Sequence, residues 1–447
     1  MRWICYLLII IAQQSFANDD FFSSVDVELE ERETSENENR LDPFGYRGYL
    51  KAIGKIGLEV PDQSFPFDRG ERGLNVLRTD AFLEFRGDLS EQLSWQLSAK
   101  AELDWIQWRD GEATWRLEKE RLEFKDAYID ASYQNGVWLR AGQQVLAWGE
   151  AEGLAISDII SPVDSRAPGQ EQIEDLREAV PALMLSVPFS GKLVAAITYD
   201  AGHNIYADEH EDFYPYIALK GRAEIDYLAP EDLWEYALKW EKRFHGGDAS
   251  IILGDVNDNS FSVSAISLSD QGASVSLAQE RVKVLGGTFS RVVGSWVFRS
   301  ELAHLWDQPI ELSPQYAWGK QNQWRSMLSA EYSGINDLSL YYEVNSIYAP
   351  DDAELPEQGE LFNQTFEAGH VFRIMHEALN ARLTNQLWVL ALTTDSTKVF
   401  RWDMSYDLSD SWEVASSLVV YENNDSRSAL YPFRDNDTVN LSVTFNF

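Results

Sequence analysis

The last nine residues, Val439-Asn-Leu-Ser-Val-Thr-Phe-Asn-Phe447, alternate apolar and polar without exception and stop on an aromatic. Successive side chains of a strand point to opposite faces, so Val439, Leu441, Val443, Phe445 and Phe447 share one face and Asn440, Ser442, Thr444 and Asn446 the other. An edge strand of a soluble sandwich and a membrane-spanning strand both fit this segment alone. Trp95 to Trp105 narrows the choice, because Trp95, Leu97, Ala99, Ala101, Leu103 and Trp105 alternate with Gln96, Ser98, Lys100, Glu102 and Asp104. Ten steps of about 3.3 Å, tilted near 40°, rise about 25 Å, the height of the apolar band of a transmembrane barrel, here with a tryptophan at each interface. The pattern recurs in Leu77, Ala81, Leu83 and Phe85, in Trp324, Leu328, Ala330 and Tyr332, in Leu338, Leu340, Tyr342 and Val344, and in Phe400, Trp402, Met404 and Tyr406.

Short turns fall near Asp88 to Gln92, Asn135-Gly136, Ser190-Gly191, His245 to Asp248, Val293 to Ser295, Gly334 to Asp337, His376 to Leu379 and Leu408 to Ser411. Several carry the Gly, Asn or Asp that tight hairpins require. They alternate with long connections at approximately 59–73, 109–120, 149–180, 201–233, 255–280, 307–321, 349–363 and 423–436, with one brief connection at Asp395 to Thr397. The fold class predicted is all-β: a transmembrane antiparallel up-and-down β-barrel of about 18 strands (range about 16 to 20), both termini on the side of the short turns. Val439 to Phe447 is then the last strand, and it closes the wall against a first strand near Arg47 to Leu58.

The amino terminus sets the compartment. Met1-Arg2-Trp3, an apolar run from Ile4 to Ala12, and Ser15-Phe16-Ala17 read as a signal peptide over 1–17. Residues 18–45 are rich in acids and lack periodicity, which predicts a disordered periplasmic tail, and 46–447 form the barrel. The only cysteine, Cys5, lies in the signal, so thiolate metal sites, disulfides and a cysteine nucleophile are excluded from the mature chain. A net charge of −36 would repel nucleic acid, whereas 16 Trp, 19 Tyr and 22 Phe are foreign to a disordered acidic chain. The six histidines are scattered without metal-ligand spacing, and no cofactor is predicted.

With the apolar phase turned to lipid, the lumen wall receives Arg78, Asp80, Lys100, Glu102, Asp104, Arg140, Arg299, Glu301, Arg325, Arg401 and Asp403, together with Glu343 and Arg373. Their signs are mixed, and opposite charges on neighbouring strands stabilise a wall whatever passes it. A wall of this kind argues against a dedicated polyanion channel, which needs a basic excess. The third long connection holds Leu154, Ile156, Ile159, Ile160 and Val163, too apolar to lie in solvent, so it is expected to fold into the barrel and narrow it. Candidate constriction residues are Trp148, Glu150, Glu152, Asp158, Asp164, Arg166 and Arg177. A helical face is predicted over Glu171 to Ala179. An extracellular cap packed on the rim is the alternative reading of this connection.

Arg140-Ala-Gly-Gln-Gln144, Trp148-Gly-Glu150, Ser161-Pro-Val-Asp164 and Arg177-Glu-Ala-Val-Pro181 resemble the motif string of an uncharacterised proteobacterial outer-membrane family. The likeness spans about 45 residues, with Gln143 standing for the family's usual Arg and Ser161 for its Asn. It implies a porin-like barrel, often encoded near RND-type exporters of lipids or hydrophobic compounds, with a more distant likeness to alginate-export porins. No Gly-x-Ser-x-Gly or His-centred constellation is present, and an enzyme is not expected. The expectation is a porin-like channel of the Gram-negative outer membrane, passing small solutes through a mixed-charge lumen constricted by 149–180. The alternative is a component of a hydrophobic-compound route linked to an RND-type exporter. Expected partners are outer-membrane lipids and lipopolysaccharide, and the assembly machinery through Phe447.

Overall fold

The computed structural model describes residues 44–58, 73–109, 112–153, 156–170, 176–208, 211, 213–216, 219, 222–269, 272–310, 319–350, 366–393, 397–423 and 431–447. Eighteen strands form the wall. The first half comprises β1 (Gly45–Gly57), β2 (Gly73–Ser90), β3 (Leu93–Arg109), β4 (Glu112–Ser132), β5 (Trp138–Gln144), β6 (Val180–Pro188), β7 (Lys192–Tyr199), β8 (Trp234–Phe244) and β9 (Gly247–Asn257). The second half comprises β10 (Arg281–Val293), β11 (Trp296–Ile310), β12 (Gly319–Ile335), β13 (Leu338–Tyr348), β14 (Phe366–Ala378), β15 (Leu383–Leu392), β16 (Lys398–Ser409), β17 (Trp412–Glu422) and β18 (Thr438–Asn446).

Each strand pairs antiparallel with the next, and β18 pairs with β1 from Tyr49↔Asn446 to Gly57↔Thr438. Phe447 finishes the seam, its N–H donating to Gly48 O at 3.0 Å and its carbonyl accepting from Gly48 N at 2.8 Å. Closure leaves no free sheet edge at this seam, which is the condition for crossing hydrocarbon.

The wall is inside-out relative to a soluble protein. Leu83, Leu97, Trp105, Leu122, Phe124, Leu302, Leu328, Trp402 and Leu441 are exposed, while the alternate positions Asp80, Glu84, Lys100, Glu102, Glu301, Arg325 and Glu343 are buried. Apolar side chains outside and ionised ones inside are stable only where lipid surrounds the wall. The interior is not lined by charge alone. Inward positions on β6 to β9 also carry Ala182, Val194, Ala196, Ala237 and Ile252, and those on β10 to β17 carry Val284, Leu305, Val371, Trp388, Leu390, Val399 and Val419, all buried.

Two expected loops are structured. The connection expected over 109–120 is strand, since β3 and β4 pair as far as Arg109↔Glu112. A hairpin that rises beyond the membrane needs no apolar face, so its charges conceal it. The connections after β7 and β9 hold a short sheet in which Ala223–Leu228 pairs parallel with Gly272–Ala278, itself antiparallel to Ser262–Ser269. Phe261, Tyr216, Val275 and Leu277 form its buried core. The signal peptide, residues 18–43 of the expected acidic tail, Leu154 and residues 171–175 lie outside the described residues, and Gly45, expected in the tail, opens β1. The described end of the expected helix, Leu176 to Ala179, is not helical: Arg177 bridges antiparallel to Val163.

Candidate functional site

The third long connection enters the barrel at Gln144. Gly142, two residues earlier, adopts φ 137°, and a Cβ there would meet Ala127 O at 2.1 Å, so only glycine permits this approach of β5 to β4. The last β4–β5 pair follows at once, Ala127↔Gln143. Leu146 then donates its N–H to Ser161 Oγ at 2.7 Å, and Leu146, Trp148 and Ile160 pack on the small apolar inner face of β6 to β9. Ile156 and Ala151 pack on the opposite apolar face, with Leu305, Val371, Trp388 and Leu390. The segment thus spans the lumen and is apolar toward both walls.

Two buried wall glutamates hold its backbone. Glu301 on β11 accepts the N–H of Glu150 at 2.9 Å, that of Ser157 at 2.7 Å, and the Ser157 hydroxyl. Glu343 on β13 accepts the N–H of Glu152 at 2.9 Å and of Gly153 at 2.7 Å, along with Tyr341 Oη at 2.6 Å and Asn345 Nδ2 at 3.1 Å. A carboxyl group buried this deeply needs the donors that surround it. At Gly153 the backbone lies so close that a Cβ would meet Glu343 Oε1 and Asn345 Nδ2, each at 2.6 Å.

The constriction candidates take different places. Trp148 is packed against the β6–β9 wall, and its N–H donates to Asp158 Oδ1 at 3.1 Å. Asp158 is in turn ion-paired with Arg177. Glu152 pairs with Arg373 of β14 at 3.0 Å. Asp164 and Arg166 form a lattice with the wall: Arg166 binds Asp164 and, at 3.1 Å, Glu102 of β3, while Arg121 of β4 reaches Asp164 at 3.7 Å. Burial pushes the Glu150 carboxyl up to about 7 and that of Glu152 up to about 8, the second against the pull of Arg373. Further along, Tyr421 Oη donates to Pro168 O, and Arg401 Nη1 donates to Gly169 O at 3.2 Å. The connection is therefore tied to β3–β4, β11–β14 and β16–β17.

The remaining wall candidates are mostly paired among themselves. Arg78 binds Asp80 at 2.8 Å, Lys100 binds Glu102 at 3.3 Å, Arg299 binds Glu331 at 3.1 Å and Arg401 binds Asp403 at 2.7 Å. Arg140 grips Asp130 through two nitrogens and stacks on Tyr128 with 3.8 Å to the ring centre. Asp104 stands opposite Arg78 in the β2–β3 register, and Arg325 donates to Gln323 at 3.4 Å. Sequence reasoning named Glu301 and Glu343 only as wall charges. Their acceptance of loop amides 144 to 191 positions away is invisible without the fold.

The chain matches the family model described as "Protein of unknown function (DUF1302)" over residues 95–215, the stretch from β3 through the lumen segment into the next connection. No curated protein matches. Among solved structures it is similar to Acinetobacter baumannii OccAB4, with 10% identity over 92% of this chain and 100% of that one and a TM-score of 0.53. Pseudomonas aeruginosa OccK2 (OpdF) aligns with 11% identity over 90% and 97%, TM-score 0.52. Pseudomonas aeruginosa OpdK, solved with vanillate, aligns with 10% identity over 90% and 98%, TM-score 0.50. At these identities the shared property is the fold, a closed 18-stranded outer-membrane barrel.

Proposed function

We propose that this protein is an outer-membrane channel for small solutes, in which the segment from Val145 to Ala179 sets the cut-off. The observation that carries the reading is the way the segment is held. Four backbone amides rest on two wall carboxylates, and the ion pairs Arg166–Glu102 and Glu152–Arg373 tie the segment to β3 and β14. Polar tethers across an 18-stranded lumen narrow a conduit, whereas an inert plug needs only apolar packing. The paired, mixed-sign wall favours small solutes of either charge over polyanions. Conductance of the purified protein in planar bilayers, before and after removal of Glu152 to Gly169, tests this. Channels that open wider in the shortened protein support it; silence of both proteins refutes it.

A second reading is favoured by the apolar inward residues Leu305, Val371, Trp388, Leu390 and Val399 facing the segment. Here the barrel serves a lipid or hydrophobic-compound route together with an RND-type exporter. Native mass spectrometry should then find an apolar ligand retained beside Ile156 to Val163, and ligand-free protein would count against it.

A further inference from the structure

Among the described residues, the wall lacks one strand over part of the membrane. On β3 the apolar band runs from Trp95 to Trp105, and the register carries it onto β4 from Ile129, opposite Trp95, to Lys119, opposite Asp104. Yet β5 pairs with β4 only from Ser132↔Trp138 to Ala127↔Gln143. Among the described residues no other strand pairs with β4 above that point. From Asp126 to Lys119, about 23 Å of strand, the far edge of β4 faces the place that β5 left when it turned into the lumen. The next wall element is the run Leu176 to Ala179 leading into β6, whose backbone is hydrogen-bonded to Pro162 and Asp164 of the lumen segment.

An unpaired strand edge does not face hydrocarbon unless it borders water or protein. Here its inner side is polar. Lys125 reaches across to Glu178 at 3.1 Å and back to Glu123 at 3.3 Å, Gln143 Nε2 donates to Ala179 O at 2.6 Å, and Arg121 and Arg166 meet at Asp164. Its outer side is apolar: Leu122 and Phe124, 68% and 56% exposed, flank the edge toward lipid. One vacated strand leaves a slot about 4.8 Å wide, the cross-section of a single alkyl chain.

We propose that this slot between β4 and the 176–180 run is a lateral portal, through which a single-chain amphiphile passes between lumen and outer leaflet, tail in the slot and head among the ion pairs. Four carboxylates (Glu102, Glu123, Asp164 and Glu178) balance four cations (Lys100, Arg121, Lys125 and Arg166) there, so a zwitterionic or neutral head fits better than an anionic one. The portal adds a sideways route and depends neither on axial ion conduction nor on an exporter.

The test uses the full-length protein in phosphatidylethanolamine–phosphatidylglycerol vesicles and a hexadecyl phosphocholine carrying a diazirine and an alkyne. Lipid-facing positions such as Leu122 and Leu328 are labelled in any case, so the readout is labelling of the inward residues Arg121, Glu123, Lys125 and Glu178. It should exceed labelling of inward Arg325 and Ser329 by about tenfold, the ratio that 1.4 kcal/mol of preferred occupancy gives. The palmitate analogue should label these residues less. Equal labelling of all inward residues, or adducts confined to the outer face, overturns the portal.

A second measurement bridges Lys125→Cys and Glu178→Cys with a cleavable bismaleimide. Transfer of the probe from water into the bilayer should fall about tenfold on bridging and recover on cleavage; an unchanged rate overturns the proposal. Ion conductance recorded on the same vesicles separates the two ideas, since transfer that persists without conductance removes the channel and leaves the portal.

Discussion

Replacing Glu343 by alanine removes the acceptor that two amides of the lumen segment share. The N–H groups of Glu152 and Gly153 lie 2.9 and 2.7 Å from its two oxygens, in a site where Glu343 is fully buried. A hydrogen bond to a charged acceptor, lost so that the donor stays unsatisfied, costs about 1–3 kcal/mol. Water admitted to the lumen recovers part of this, so about 2–4 kcal/mol for the pair is a fair expectation. At 1.4 kcal/mol per decade, local opening should become about 30- to 700-fold more populated. Hydrogen exchange followed by mass spectrometry reads this directly in peptides covering Glu150 to Ser157. Exchange at Glu152 and Gly153 should accelerate within that range, while strands such as β18 keep their protection. Glu343→Gln, which keeps one carbonyl oxygen but turns an amide donor toward an N–H, should fall between. Exchange rates within about threefold of the parent in the alanine variant would refute the reasoning, because the wall carboxylate would then not hold the segment.

Acidification should act on the same segment. The Glu150 and Glu152 values of about 7 and about 8 lie above the ordinary carboxylate range, so the folded protein keeps two protons that the unfolded chain gives up. Stability is therefore fully present below the unfolded value and is lost as pH rises through about 7 to 8. Neutralising Glu152 also leaves Arg373 less compensated, so reversal potentials in a salt gradient should shift toward anions between pH 8.5 and 5.5; a shift toward cations contradicts this. Gly142→Ala places a Cβ 2.1 Å from Ala127 O at a positive φ, at a cost of at least about 1–3 kcal/mol, and should lower the temperature at which the barrel loses its compact mobility on gels. Deleting Phe447 removes both backbone bonds to Gly48 and the ring beside Phe445, so less folded barrel should reach the outer-membrane fraction; undiminished yield would show that the terminal aromatic is dispensable.

Much of the wall was legible because period-two alternation is local. The strand phase of Trp95 to Trp105, the short turns and the pairing of the last strand with the first follow from which residues tolerate lipid. The hairpin beyond the membrane at β3 and β4 was hidden for the converse reason, since strands in water need not alternate. The small sheet was only partly readable: Ile266 and Leu268 alternate with Ser267 and Ser269, but the phase slips between Val263 and Ile266, beside the register shift of this strand, so the segment reads as a polar loop.

The apolar residues Ile156, Ile159, Ile160 and Val163 were enough to bring the third connection inside, because solvent would not accept them. They did not say where it would rest. That was decided by Glu301 and Glu343 meeting amides from the far side of the sequence, and by wall positions such as Ala196 and Ala303 small enough to admit it. The vacated edge of β4 belongs to the same class of fact. Gly142 and the strand lengths are written in the chain, but a gap exists only once neighbours are placed side by side. By itself the sequence determined which residues face lipid, since burial in a membrane depends on each side chain's own transfer free energy. Only the tertiary structure decided what crosses the lumen and where β5 parts from β4, since those depend on pairings between residues that the chain keeps far apart.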